Sequence, residues 1–205
     1  MSLIVLGVSS FLIALSGALV PGPLFTLTVS ESIRRGAVTG PLIILGHGLL
    51  EIMIIALALS GLSPFLRHET TRQFISVGGG CMLVVMGILL LRGAPKARLD
   101  APAESVGKGV SLVVTGMVGS ITNPYWVIWW ATIGLGYLVS SLRFGMAGVI
   151  VFFFGHISAD LAWYSLVSYT VSRGKKIMGE KDYRAVLLLC GIFLVLFGGW
   201  FIQSI

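Results

Sequence analysis

Residues 46–51, Gly46-His47-Gly48-Leu49-Leu50-Glu51, set a histidine and a carboxylate four residues apart inside a long apolar stretch. Residues 155–160, Gly155-His156-Ile157-Ser158-Ala159-Asp160, do so again. At that spacing both side chains of a pair share one helix face, one turn apart. A carboxylate at bilayer depth costs about 2.5–3.5 kcal/mol on insertion scales, so it marks a substrate, proton or ion site facing a bundle interior. Finding the pair twice, in matching halves, points to an internally repeated membrane fold.

The surrounding composition agrees. Of 205 residues 56% are hydrophobic and only 11% charged, with a mean hydropathy of +0.99. A soluble domain carries about 25% charged residues, and no stretch here is polar enough to fold as one. Cys81 and Cys190 both sit in apolar segments and read as small buried hydrophobes, which excludes a disulfide framework. The basic pI of about 9.7 does not point to nucleic acid, because the basic residues lie in short connections between apolar spans. Met1-Ser2-Leu3 lacks the basic start of a secretory signal, so the first span is expected to be retained.

About 20 apolar residues cross the hydrocarbon core, and six stretches qualify: 3–33, 37–62, 74–92, 109–139, 144–171 and 185–204. Arg34, Arg35, Arg92, Lys96, Arg98, Lys108, Arg173, Lys175, Lys176, Lys181 and Arg184 fall in the first, third and fifth connections. Arg67, Arg72 and Arg143 fall in the others. This asymmetry predicts a multi-pass protein with those three loops in the cytoplasm and both termini outside.

The polar stretch 93–108 divides the chain into repeat one, 1–92, and repeat two, 109–205, of a single transmembrane domain. Pro21-Gly22-Pro23 matches Asn123-Pro124, His47/Glu51 matches His156/Asp160, and Gly80-x6-Gly87 matches Gly191-x6-Gly198. Three spans per repeat is odd, so the second copy must cross the membrane upside down. The fold class expected is all-α: six transmembrane helices as two inverted three-helix repeats, the first helix of each broken at its proline motif. Inverted repeats of this kind build secondary transporters, with a site near the midplane.

Pro21 and Pro23 remove backbone donors inside the first stretch and must break the helix. Pro124 does the same in the fourth, with Asn123 placed to cap the half-helix beyond the break. Half-helix N-termini at such breaks suit an anionic group such as a substrate carboxylate. The two His/acid pairs admit three readings: a structural buried network, a transport site, or a transition-metal site built from two imidazoles and two carboxylates. In the transport reading the acids hold a substrate ammonium or a proton while His47 and His156 tune or relay it. Tyr125, Trp126 and Trp163, near the break and the second acid, are candidate cavity walls, where a ring face attracts an ammonium.

These residues resemble the LysE/RhtB family of amino-acid exporters. Pro21-Gly22-Pro23, twelve residues, Gly36, three residues, Gly40, five residues and Gly46 follow the family's first-half signature. Leu50 stands where the pattern often has glycine, and Glu51 keeps the acidic position; Asn123-Pro124 and Asp160 also look like family features. The resemblance implies export of amino acids or their derivatives across the bacterial inner membrane by proton antiport with alternating access. Expected substrate-binding residues are Pro21, Gly22, Pro23, Glu51, Asn123, Pro124, Tyr125, Trp126, Asp160 and Trp163. Proton coupling falls to His47, Glu51, His156 and Asp160. No cofactor is expected and no resident metal site is assigned. Export of a divalent transition-metal cation through the His/carboxylate pairs is the alternative, since the wider superfamily includes metal exporters. No Gly-x-Ser-x-Gly, His-Glu-x-x-His or P-loop pattern suggests an enzyme. The lipid-facing surface, rich in small residues, is compatible with a homodimer.

Overall fold

A computed structural model describes residues 2–19, 22–62, 69–96, 108–174 and 179–203. All its regular structure is helical. Helices α1 (Leu3–Ala18) and α2 (Pro23–Arg35) come from the first apolar stretch, and α3 (Thr39–Leu57) runs into a wide turn at Ala58–Leu62. Helix α4 is Glu69–Gly93 and α5 is Lys108–Ile121. The fourth stretch continues as α6 (Pro124–Trp129), a wide turn at Trp130–Gly134, and α7 (Leu135–Ser141). Helices α8 (Gly145–Gly174) and α9 (Glu180–Gln203) complete the chain.

Each of the six apolar stretches is thus helical, with α4 starting earlier than expected. Three runs, Thr39–Gly61, Leu135–Gly174 and Glu180–Trp200, are long and apolar enough to cross a membrane, with α1 plus α2 a fourth if the bent pair counts as one span. The bend between them is 75°. Gly22 is the extended N-cap of α2 and Pro23 its first residue, where the missing N–H costs nothing. Pro21 and most of the connection 93–108 lie outside the described residues. Between α5 and α6 Asn123 is extended, and its side chain accepts the Tyr125 N–H.

The first-half glycine pattern has a packing explanation. Gly36, at φ 85°, ends α2 in a backbone conformation that a side chain resists. A Cβ on Gly40 would strike the Tyr164 carbonyl of α8, and one on Gly46 the Val113 carbonyl of α5. Gly116 of α5 lies equally close to the Ile43 carbonyl, and Gly155 of α8 stands 2.6 Å, at its would-be Cβ, from the Gly7 carbonyl of α1. Small residues let membrane helices approach backbone to backbone.

Helix α3 therefore packs on α5, α1 on α8, and α3 on α8. Helices α4 and α9 form the most extensive pair. There Gly80 abuts Gly198 and Ile202, and Gly87 abuts Gly191 and Val195. Numbers rise along one helix as they fall along the other, so this pair is antiparallel. Hydroxyls within the apolar helices bond to their own backbone, as Ser10 to the Leu6 carbonyl (2.7 Å) and Thr28 to the Leu24 carbonyl (2.8 Å), which removes most of their cost.

Candidate functional site

The two His/acid pairs meet where α3 crosses α8. The Nε2 atom of His47 lies 3.2 Å from Glu51 Oε1 and 3.7 Å from Asp160 Oδ2. His156 Nε2 lies 2.8 Å from the same Glu51 oxygen and 3.3 Å from Asp160 Oδ2. All four residues are buried, Glu51 completely, at 0% exposure. Such a cluster is costly to desolvate and holds together only through mutual compensation.

Glu51 Oε1 also accepts the indole N–H of Trp130 at 3.1 Å and, at a longer 3.4 Å, that of Trp126. These two indoles are four residues apart and reach the carboxylate from within α6 and from the start of the wide turn that follows it. His47 is oriented from its other side. Its Nδ1 lies 2.7 Å from Ser120 Oγ, whose single hydrogen is directed at the Gly116 carbonyl, also at 2.7 Å. Nδ1 must therefore donate to the serine. That leaves Nε2 facing two carboxylates, a contact that attracts only if Nε2 carries a proton too.

The cluster does not satisfy itself. Among the described residues Glu51 Oε2 and His156 Nδ1 are buried without a hydrogen-bond partner, and Asp160 Oδ2 has ion-pair distances but no aligned hydrogen bond. Buried atoms of this kind call for a further cation, water or substrate group. One ligand atom from each of His47, Glu51, His156 and Asp160 lies within 4.8 Å of all the others, so these side chains could also surround a metal ion.

Beside the cluster is a cavity of about 60 Å3, lined among others by Gly22, Leu24, Asn123, Tyr125, Trp126 and Tyr164, together with His47, His156 and Asp160. The expected residues Gly22, Asn123, Tyr125, Trp126 and Asp160 thus share one chamber, with Glu51 immediately behind it. Pro23 starts the helix that enters it, and Pro124 starts α6.

Trp163 sits elsewhere. It does not line the cavity but packs, with Phe25, between the cluster around Leu24, Ile43 and Tyr164 and the one around Val29, Ile33 and Tyr183. Along α8, His156, Asp160 and Tyr164 follow one another at four-residue steps, and all three line the cavity. That i, i+4, i+8 series was readable in the sequence. So were Trp126/Trp130 and Gly116/Ser120 at the same spacing, although nothing local pairs them with Glu51 or His47. Trp129 lines the cavity as well, its ring centroid 4.7 Å from that of His156.

Comparison with known proteins agrees with the resemblance. A Bacillus subtilis (strain 168) protein named "Putative amino acid efflux protein YcgF" is 23% identical over 181 residues, covering 88% of this chain and 87% of that protein. No solved structure matches. The sequence profile of the LysE type translocator family matches residues 15–204, and the chain belongs to that family.

Proposed function

We propose that the chain exports an amino acid or amino-acid derivative across the inner membrane in exchange for protons, by alternating access. The observation that carries this reading is the buried junction of His47, Glu51, His156 and Asp160 on the wall of the cavity. Glu51 and Asp160 accept either the substrate ammonium or protons, and the two imidazoles hold the protons between the acids. Competition for one set of carboxylates then couples the two fluxes without a separate site.

The substrate carboxylate goes to the N-terminus of α2. Gly22 caps that helix without a side chain and lines the cavity, whereas Asn123 already caps α6 by accepting the Tyr125 N–H. Tyr125 and Trp126 present ring faces to the ammonium. Space for water allows one molecule per roughly 10–15 Å3, so about 60 Å3 suits a few waters. Loading an amino acid requires the helices to part, as alternating access demands.

Six spans in two inverted repeats, 1–92 and 109–205, are the architecture we infer. Exchanging the repeats carries the α1–α8 pair onto α5–α3, and maps α4–α9 and α3–α8 onto themselves. The antiparallel run of α4 against α9 is what a twofold axis in the membrane plane requires. Both termini then lie outside. The test is Glu51→Gln/Asp160→Asn in proteoliposomes carrying a pH gradient. Efflux should cease while the purified protein stays folded; full transport by this double amide rejects the role.

One observation favours a second cargo. The four N–O separations of 2.8–3.7 Å bracket the edge of about 3.3–3.6 Å expected for a tetrahedron with metal–ligand bonds of about 2.0–2.2 Å. Calorimetric titration with zinc or cobalt distinguishes the cargoes. Micromolar binding abolished by His47→Ala/His156→Ala supports metal export, and its absence supports the amino acid.

A further inference from the structure

A second cavity, of about 380 Å3, lies at the far end of α2, where α4 and the turn Ala94–Lys96 meet the start of α9. It shares no lining residue with the central chamber. Its polar wall is Arg34, Glu31, Lys96 and the buried Tyr183; its apolar wall includes Leu89 and Leu187.

Among the described residues charge is not balanced there. Glu31 is held by Arg35 at 2.7 Å, with Arg34 at a looser 3.5 Å. Among the described residues no carboxylate pairs with Lys96. Among the described lining residues, Arg34 and Lys96 against Glu31 leave a cationic surplus. The apolar wall gives the direction of the opening: Leu89 is 62% exposed, on a helix that the six-span architecture proposed above sets against acyl chains. A soluble anion would gain nothing from that wall. A molecule with an anionic head and hydrocarbon tails fits both sides, at the depth where helix ends meet headgroups.

We propose that this cleft binds the phosphate of an anionic phospholipid, held by Arg34 and Lys96, with the first acyl carbons against Leu89 and Leu187. A bound lipid would clamp the end of α2 to α4 and α9, and so bias the helix whose other end forms the central chamber. The proposal does not depend on the cargo.

The test is native mass spectrometry of the detergent-purified protein with palmitoyl-oleoyl phosphatidylglycerol, against phosphatidylcholine of the same chains. Phosphatidylglycerol should be retained in preference. Each basic residue near a membrane surface contributes about fivefold to anionic-lipid binding. Retention should therefore fall about fivefold in Lys96→Gln and on the order of 25-fold in Arg34→Gln/Lys96→Gln. Equal retention by the double variant, or parity with phosphatidylcholine, overturns the proposal. Displacement by millimolar inorganic phosphate also overturns it, in favour of a free-anion site. Lys96 is exposed and leaves the Glu31 pairs intact, so its single variant decides the matter if the double variant fails to fold.

Discussion

Replacing Glu51 by glutamine tests the central cluster most directly, because the amide keeps the shape and removes only the charge. In the wild type one oxygen of Glu51 meets His156 at 2.8 Å, Trp130 at 3.1 Å, His47 at 3.2 Å and Trp126 at 3.4 Å. The glutamine oxygen can still accept both indole N–H groups. The two imidazole contacts change from charge-assisted to neutral hydrogen bonds, a loss of about 1–1.5 kcal/mol each. The hold of the cluster on a proton or an ammonium should therefore weaken by about 2–3 kcal/mol. At 1.4 kcal/mol per decade that is about 30- to 150-fold. The assay is a proteoliposome loaded with an equimolar mixture of amino acids and subjected to an external acid jump, with the remaining lumenal amino acids quantified by mass spectrometry. Wild-type vesicles should lose the cargo selectively, and E51Q vesicles at one-thirtieth of that rate or less. An E51Q protein that is monodisperse, folded and as fast as wild type would refute the reasoning, because Asp160, at 3.3 and 3.7 Å from the two imidazoles, would then hold the cation without Glu51.

Other consequences can be checked separately. Ser120→Ala removes the acceptor that orients His47 and should slow proton-driven exchange about tenfold, with Ser120→Thr restoring most of it. Gly46→Leu drives a side chain into the Val113 carbonyl and should destabilise the α3–α5 contact by about 1–3 kcal/mol or more in thermal unfolding. Gly136→Ala meets nothing within 4 Å and should be neutral or stabilising by up to about 1 kcal/mol. Trp130→Phe loses a hydrogen bond to Glu51 and should cost about 1.5–3 kcal/mol of stability. Trp163→Phe removes a buried indole N–H that has no partner among the described residues, so stability should hold or rise, with no change in the KM for cargo.

Much of the fold was legible from residue order, because the signals were local and periodic. Apolar length gave the helices, since a hydrocarbon solvent leaves helices and closed barrels as the ways to satisfy the backbone. Pro23 and Asn123-Pro124 located the breaks, since proline cannot continue a hydrogen-bonded turn. The four-residue spacing placed each histidine beside its acid. What the spacing could not supply was the meeting of the pairs: His156 lies closer to Glu51, on another helix, than to its own Asp160. That juxtaposition arises because Gly40 and Gly48 let α3 lie close against Tyr164 and Ile157 of α8, a property of surfaces in contact that no single helix encodes. For the same reason Trp130 and Ser120 emerged as partners of the cluster, and Trp163 moved off the cavity wall. Local order determined the helices, their breaks and the chemistry each carries, because those depend on neighbours along the chain. Tertiary packing alone decided which charges share one chamber, because in a low-dielectric interior a difference of a few ångströms separates a compensated cluster from an uncompensated one.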